Sequence, residues 1–214
     1  MTKVLLTGFE PFNDSSINPS WEAVRLVAAA PPADVSLSTA MLPCVFATAV
    51  EVLRTEIDRV DPELVVCVGQ AGGRPDITVE RVAVNVNDAR IPDNVGDQPI
   101  DTPVVPGGPV GYFATLPVKA CVAALRDAGV PASVSQTAGT FVCNQVFYGL
   151  MHLIATERPA TRGGFVHVPF APEQTVAARE PSMPAVMIAQ ALRVIVSTAA
   201  TVDVDILVAG GAIN

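Results

Sequence analysis

Ala132-Ser133-Val134-Ser135-Gln136-Thr137-Ala138-Gly139-Thr140-Phe141-Val142-Cys143-Asn144-Gln145-Val146-Phe147-Tyr148-Gly149-Leu150-Met151 runs from a β-rich segment, 132–137, through a glycine turn into a helix. Val146, Phe147, Leu150, Met151 and Ile154 recur at i, i+3/i+4 spacing and form one helical face. Cys143 therefore falls in the first turn. There, unpaired amides and the positive end of the helix macrodipole favour a thiolate, the form of cysteine that attacks carbonyls. The plain alternative is a buried, inert core thiol. Placement at a strand–turn–helix junction makes Cys143 a candidate nucleophile.

The same alternation extends in both directions. Val4-Leu5-Leu6, ending at Gly8, and Leu64-Val65-Val66-Cys67-Val68, ending at Gly69, are continuous apolar runs typical of strands buried on both faces. A strand is expected around 35–42, a long β-rich run over 77–86, and another strand over 165–170 opened by Gly163-Gly164. Helices are expected over 46–60, 116–128 and 183–201, and one begins at Asn18-Pro19, an N-cap followed by proline at the first helical position. Residues 87–115, rich in proline, form a long irregular excursion of the kind that is usually functional or at an interface. The expected fold is a single α/β domain over 1–214, a three-layer α/β/α sandwich around a mainly parallel twisted sheet, with the tail 203–214 left unassigned. Ligand sites in such sheets lie at the C-terminal ends of strands, where the loops after Gly8 and Gly69 and the Gly139 turn are expected to meet.

With 50% hydrophobic and 16% charged residues the chain is globular, and its net charge of −8 with no basic run argues against a nucleic-acid partner. The N-terminal apolar run is too short for a secretory signal, and no span is long enough to cross a bilayer, so a cytoplasmic protein without membrane partners is expected. Cysteines 44, 67, 121 and 143 form no CxxC pair and read as free thiols, Cys67 and Cys121 in the core. Two histidines make a His-rich metal centre unexpected.

A thiol nucleophile needs a base. His152 lies nine residues along the same helix, about 13–14 Å away, and cannot reach. His167, within Val166-His167-Val168, is the remaining imidazole. Glu80 is the best candidate to orient it. By strand alternation it shares a face with Thr78, Val82 and Val84 and must find a partner there, with Arg81 and Arg90 as the plain structural choices. The Gln70–Pro75 loop has no phosphate-binding lysine.

Five stretches carry a resemblance: TGFEPF at 7–12 with NPSWEAV at 18–24, LPCVF at 42–46, GQAGGRPDITVERVAVN at 69–85, GTFVCNQVFYGLMH at 139–152, and GFVHVPF at 164–170. In this order they resemble the pyroglutamyl peptidase I family of cysteine peptidases. The resemblance implies a thiol exopeptidase that removes N-terminal pyroglutamate without metal or cofactor, with Cys143 as nucleophile, His167 as base and Glu80 orienting it. It further implies a slot for the lactam ring formed by Phe9, Phe12, Phe141 and Val142, a polar contact from Gln70, and an oxyanion site from Arg90 and the Cys143 amide. It implies a homotetramer as well, and the 92–113 excursion offers a surface for such contacts. Asn13-Asp14-Ser15 stands where the family often has glycines, and Cys44 replaces a residue that is seldom a thiol. Two other classes remain open: a phosphorylase or nucleosidase on a similar scaffold, and a non-catalytic protein that binds a lactam or a peptide end.

Overall fold

The computed structural model describes residues 1–211, so the last three residues of the unassigned tail, 212–214, lie outside the described residues. Fourteen elements follow in chain order: β1 (Thr2–Phe9), α1 (Pro19–Ala29), β2 (Val35–Leu42), α2 (Ala49–Val60), β3 (Leu64–Gln70), β4 (Ile77–Glu80), β5 (Val82–Val84), β6 (Gly111–Phe113), α3 (Val118–Asp127), β7 (Ala132–Ser135), α4 (Val142–Thr156), β8 (Arg162–Val168), a short 3-10 turn (Pro172–Gln174) and α5 (Ala185–Thr201). Asn18 caps α1 as expected, its side chain accepting the amide of Ser20 ahead of Pro19 at the helix start.

Six strands form one sheet in the order β2-β1-β3-β8-β4-β7. The pairs β1–β2, β1–β3, β3–β8 and β4–β7 are parallel, whereas β4 meets β8 antiparallel. Alternation along the strands then assigns each side chain to a face. Val4, Leu6, Leu64, Val66, Val68, Ile77, Val79, Val166 and Val168 pack with α1, α3 and α5, and Leu5, Val65, Cys67 and Phe165 pack with α2 and α4. That gives the expected three layers. Because Val79 and Val166 face the first layer, Glu80 and His167 must face the second, the side on which α4 begins.

Two expectations need correcting. The run 77–86 is not one strand: it breaks at Arg81, and β5 leaves the main sheet to pair antiparallel with β6 within the long excursion. Val82 and Val84 therefore do not share a sheet face with Glu80. And since β4 and β7 run against β1, β3 and β8, the Gly139 turn does not reach the site by strand direction alone. Residues 136–141 carry the chain there, with Gly139 at φ +76° making the turn.

Candidate active site

Each of the three proposed chemical groups is held by a different local device. His167 is the penultimate residue of β8, and Gly69 of β3 is its register partner. A Cβ built on Gly69 would stand 2.7 Å from Cys143 Sγ and 2.9 Å from Phe165 Cζ, so the sulfur occupies the space that a side chain here would fill. Glycine at 69 thus seats the thiol beside the strand that carries the histidine. Glu80 ends β4, and its Oε1 accepts from His167 Nδ1 at 2.8 Å. The Nδ1 proton donated to a carboxylate leaves Nε2 as the basic nitrogen of the ring. Among the described residues no hydrogen bond yet joins Sγ to the imidazole, but both line one cavity of about 270 Å³.

Cys143 is the second residue of α4, and the first bond of that helix runs from the Gln145 amide to the Phe141 carbonyl. The Cys143 amide therefore has no helix carbonyl to bond and is free for a ligand oxygen. Asn144, fully buried, fixes this helix start: its Oδ1 accepts from Val84 N–H, and its Nδ2 donates to the carbonyls of Val84 and Val86.

Burial works to raise the Glu80 carboxyl, but the hydrogen bond and charge of His167, with Arg74 behind them, hold it below its ordinary value. Burial lowers His167, and Glu80 only partly restores it, so the imidazole is neutral at neutral pH. Burial also lifts the Cys143 thiol well above its ordinary 9.0, with Cys44 and Glu80 adding to the rise. Burial thus pulls Cys143 toward the thiol, against the pull of the helix end toward a thiolate.

Phe9, Phe12, Phe141 and Gln70 line the cavity together with Cys44, Arg74, Gly139 and Asn18. Val142 does not: it is fully buried in the α2/α4 core behind the wall. Arg90 is exposed in a wider outer groove of about 980 Å³ that shares Phe12, Gln70 and Gly72 with the cavity. Glu80 does find an arginine, but it is Arg74, whose Nη1 donates to Oε1 at 2.6 Å; Arg81 instead donates to the Gly210 carbonyl. The site roles of Arg74, Gly69 and Asn144 were not read from the sequence. The first two sit in or beside a glycine-rich turn, and Asn144 had one available signal, a polar residue interrupting an apolar helix beside Cys143. His152 bonds Tyr112 and takes no part. Among the described residues no cluster of three or more His, Cys, Asp or Glu could hold a metal ion.

The family model described as pyroglutamyl peptidase matches residues 2–202. The chain belongs to the pyroglutamyl peptidase family. It is 62% identical to the pyrrolidone-carboxylate peptidase of Streptomyces coelicolor over 94% of this chain and 93% of that one. It is 54% identical to that of Escherichia fergusonii over 99% of both. The pyroglutamyl peptidase I of Bacillus amyloliquefaciens superposes with a TM-score of 0.95 at 48% identity, covering 97% of this chain and 99% of that one. One departure from the pyroglutamyl peptidase pattern has a backbone cause. Asn13 and Asp14 lie at φ +51° and +59°, the left-handed region where glycine is at ease and where Asn and Asp are the next best tolerated.

Proposed function

We propose that the protein is a cysteine-type omega peptidase that hydrolyses the amide bond after an N-terminal pyroglutamyl residue of peptides and proteins. Cys143 Sγ attacks the pyroglutamyl carbonyl carbon while its proton passes to His167 Nε2. The oxyanion so formed takes a hydrogen bond from the Cys143 amide, and Arg90 adds its positive charge from the outer groove. Collapse of the tetrahedral adduct breaks the C–N bond, and His167 returns the proton to the departing amine. Water, deprotonated by His167, then cleaves the thioester and releases pyroglutamate and the thiol. Glu80 holds the ring and offsets its charge while it is protonated.

The observation that carries this reading is the gap at Gly69, which sets Sγ against the strand position paired with a Glu80-bound imidazole. The pocket agrees with it. Phe9, Phe12 and Phe141 offer aromatic walls to a flat neutral lactam, Val142 backs them from the core, and Gln70 offers an amide. The peptide beyond the scissile bond has the outer groove to occupy. A chromogenic pyroglutamyl amide is expected to be cleaved and the prolyl analogue, which lacks the lactam carbonyl, left intact. Equal turnover of both contradicts the assignment of the pocket.

Two further features belong to the same reading. Among the described residues no helix is long and apolar enough to cross a membrane, and all four cysteines are free, which suits a reducing cytoplasm. Val95, Ile100, Val110 and Phe113 leave the long excursion with exposed apolar side chains, which suits burial between subunits of a homotetramer.

A further inference from the structure

Two loops and the end of β3 meet at one side chain outside the triad. Gln174, at the end of the 3-10 turn after β8, accepts the amide of Ala171 on Oε1 at 2.8 Å. Its Nε2 donates to Ser15 Oγ at 2.9 Å, to Gln70 Oε1 at 2.9 Å and, more weakly, to the Ile17 carbonyl at 3.5 Å. These partners leave no freedom in which way the amide faces. A backbone N–H is only a donor and a backbone carbonyl only an acceptor, so Ala171 fixes the oxygen end of Gln174 and Ile17 fixes the nitrogen end. A donating Nε2 facing Gln70 requires an oxygen there. The Gln70 nitrogen is thereby turned the other way, with no acceptor for its hydrogens among the described residues, in a residue that lines both the reactive cavity and the outer groove.

We propose that Gln174 is a positioning residue for substrate recognition: it orients the Gln70 amide so that a donor, and not an acceptor, meets the lactam carbonyl of the pyroglutamyl ring. The inference rests on the reading of this cavity as the pyroglutamyl pocket. Without Gln174 the Gln70 side chain has two nearly isosteric orientations, only one of which attracts a carbonyl oxygen. Because Gln174 also ties the loop after β1 to the loop after β8, ring recognition depends on the register of both loops with the end of β3. Gln174 touches no reacting atom, so its effect falls on binding.

The test compares Gln174→Glu, Gln174→Ala and Gln70→Ala, singly and in the two combinations with Gln70→Ala, on a pyroglutamyl amide and with 2-pyrrolidone as competitor. Glutamate keeps the acceptor for Ala171 but replaces the donor facing Gln70 with a second acceptor, which turns the Gln70 amide round. Gln174→Glu is expected to raise KM about tenfold, the order of one lost hydrogen bond plus an opposed dipole, with kcat within about threefold on the same grounds. Gln174→Ala, which frees Gln70 without reversing it, is expected to give a smaller rise. In the Gln70→Ala background both effects should vanish. An unchanged KM in Gln174→Glu, a fall in kcat alone, or an equal rise with and without Gln70 overturns the proposal. Calorimetric binding of 2-pyrrolidone to Cys143→Ala proteins, with and without Gln174→Glu, reads the same orientation without turnover. A weakened fit there supports the role of Gln174 even if the wild type cleaves no pyroglutamyl amide, and an unchanged fit overturns it.

Discussion

Arg74 and His167 share a single oxygen of Glu80: Arg74 Nη1 and His167 Nδ1 both donate to Oε1, at 2.6 and 2.8 Å. The guanidinium also reaches Thr78 Oγ1 and the carbonyl of Thr137, so it is clamped across the edge of the sheet. Its charge favours a neutral imidazole and competes with His167 for the carboxylate.

Replacing Arg74 by methionine should therefore raise the affinity of His167 for a proton. Since the base must be unprotonated, the acid limb of kcat/KM is expected to move to higher pH. A pH–rate profile of the variant against the wild type checks this. A limb that stays in place, or moves to lower pH, would show that Arg74 does not tune the imidazole.

Gly69→Ala should damage the site directly. The added methyl would crowd Cys143 Sγ and the Phe165 ring at once, both under 3.0 Å away. Overpacking of this kind costs about 1–3 kcal/mol, enough to lower Tm by several degrees. Displacing the sulfur should cost kcat/KM about a hundredfold or more, as a misplacement near 1 Å does elsewhere. Thermal melts and kinetics on the same preparation separate the two effects.

Thiol reactivity should follow the half-buried position of Cys143. Cys44, Cys67 and Cys121 are buried, and burial pushes each of them up to about 12. One equivalent of iodoacetamide per chain is expected to react readily, at Cys143. Its rate should keep rising through pH 8 to 9, because the resting group is a thiol held above its ordinary value. A rate plateau already reached near pH 5–6 would instead reveal a thiolate–imidazolium pair in the free enzyme.

Acid should destabilise the fold through Glu80 and His167. Both Glu80 and His167 have lowered values in the folded state, so each binds protons more readily when unfolded. Their contribution is complete above the unfolded histidine value near 6.5, begins to fall as pH drops through it, and falls further below the unfolded carboxylate value near 4.5. Tm is expected to decline from pH 7 to pH 4. In His167→Asn the first part of that decline should be lost, which a melt series in matched buffers resolves.

What could be read from the residues alone follows a physical divide. The layers of the sheet and the place of Cys143 in a first helical turn were legible because strand alternation and helical spacing repeat over several residues and mark a face, whereas His167 was reached by elimination of His152 and by resemblance. The break at Arg81 was not, since 77–86 is β-rich throughout and nothing local says that one half joins a second sheet. The direction of β4 was hidden for a like reason: apolar alternation is the same read either way. Arg74 and Gln174 lie in turns, where no period applies, and their partners at Glu80 and Gln70 are close only in the fold. At Cys143 the helix end is visible in sequence, whereas the burial that opposes a thiolate there is not.

The role of the sulfur is tested most directly by comparing kcat/KM of the wild type and Cys143→Ala on a chromogenic pyroglutamyl amide, with folding verified by thermal melt. A loss of about ten-thousandfold or more with Tm preserved is expected if Sγ forms the bond to the carbonyl carbon. Hydrolysis by the alanine variant within about tenfold of the wild type, too small a change for a lost nucleophile, would contradict it.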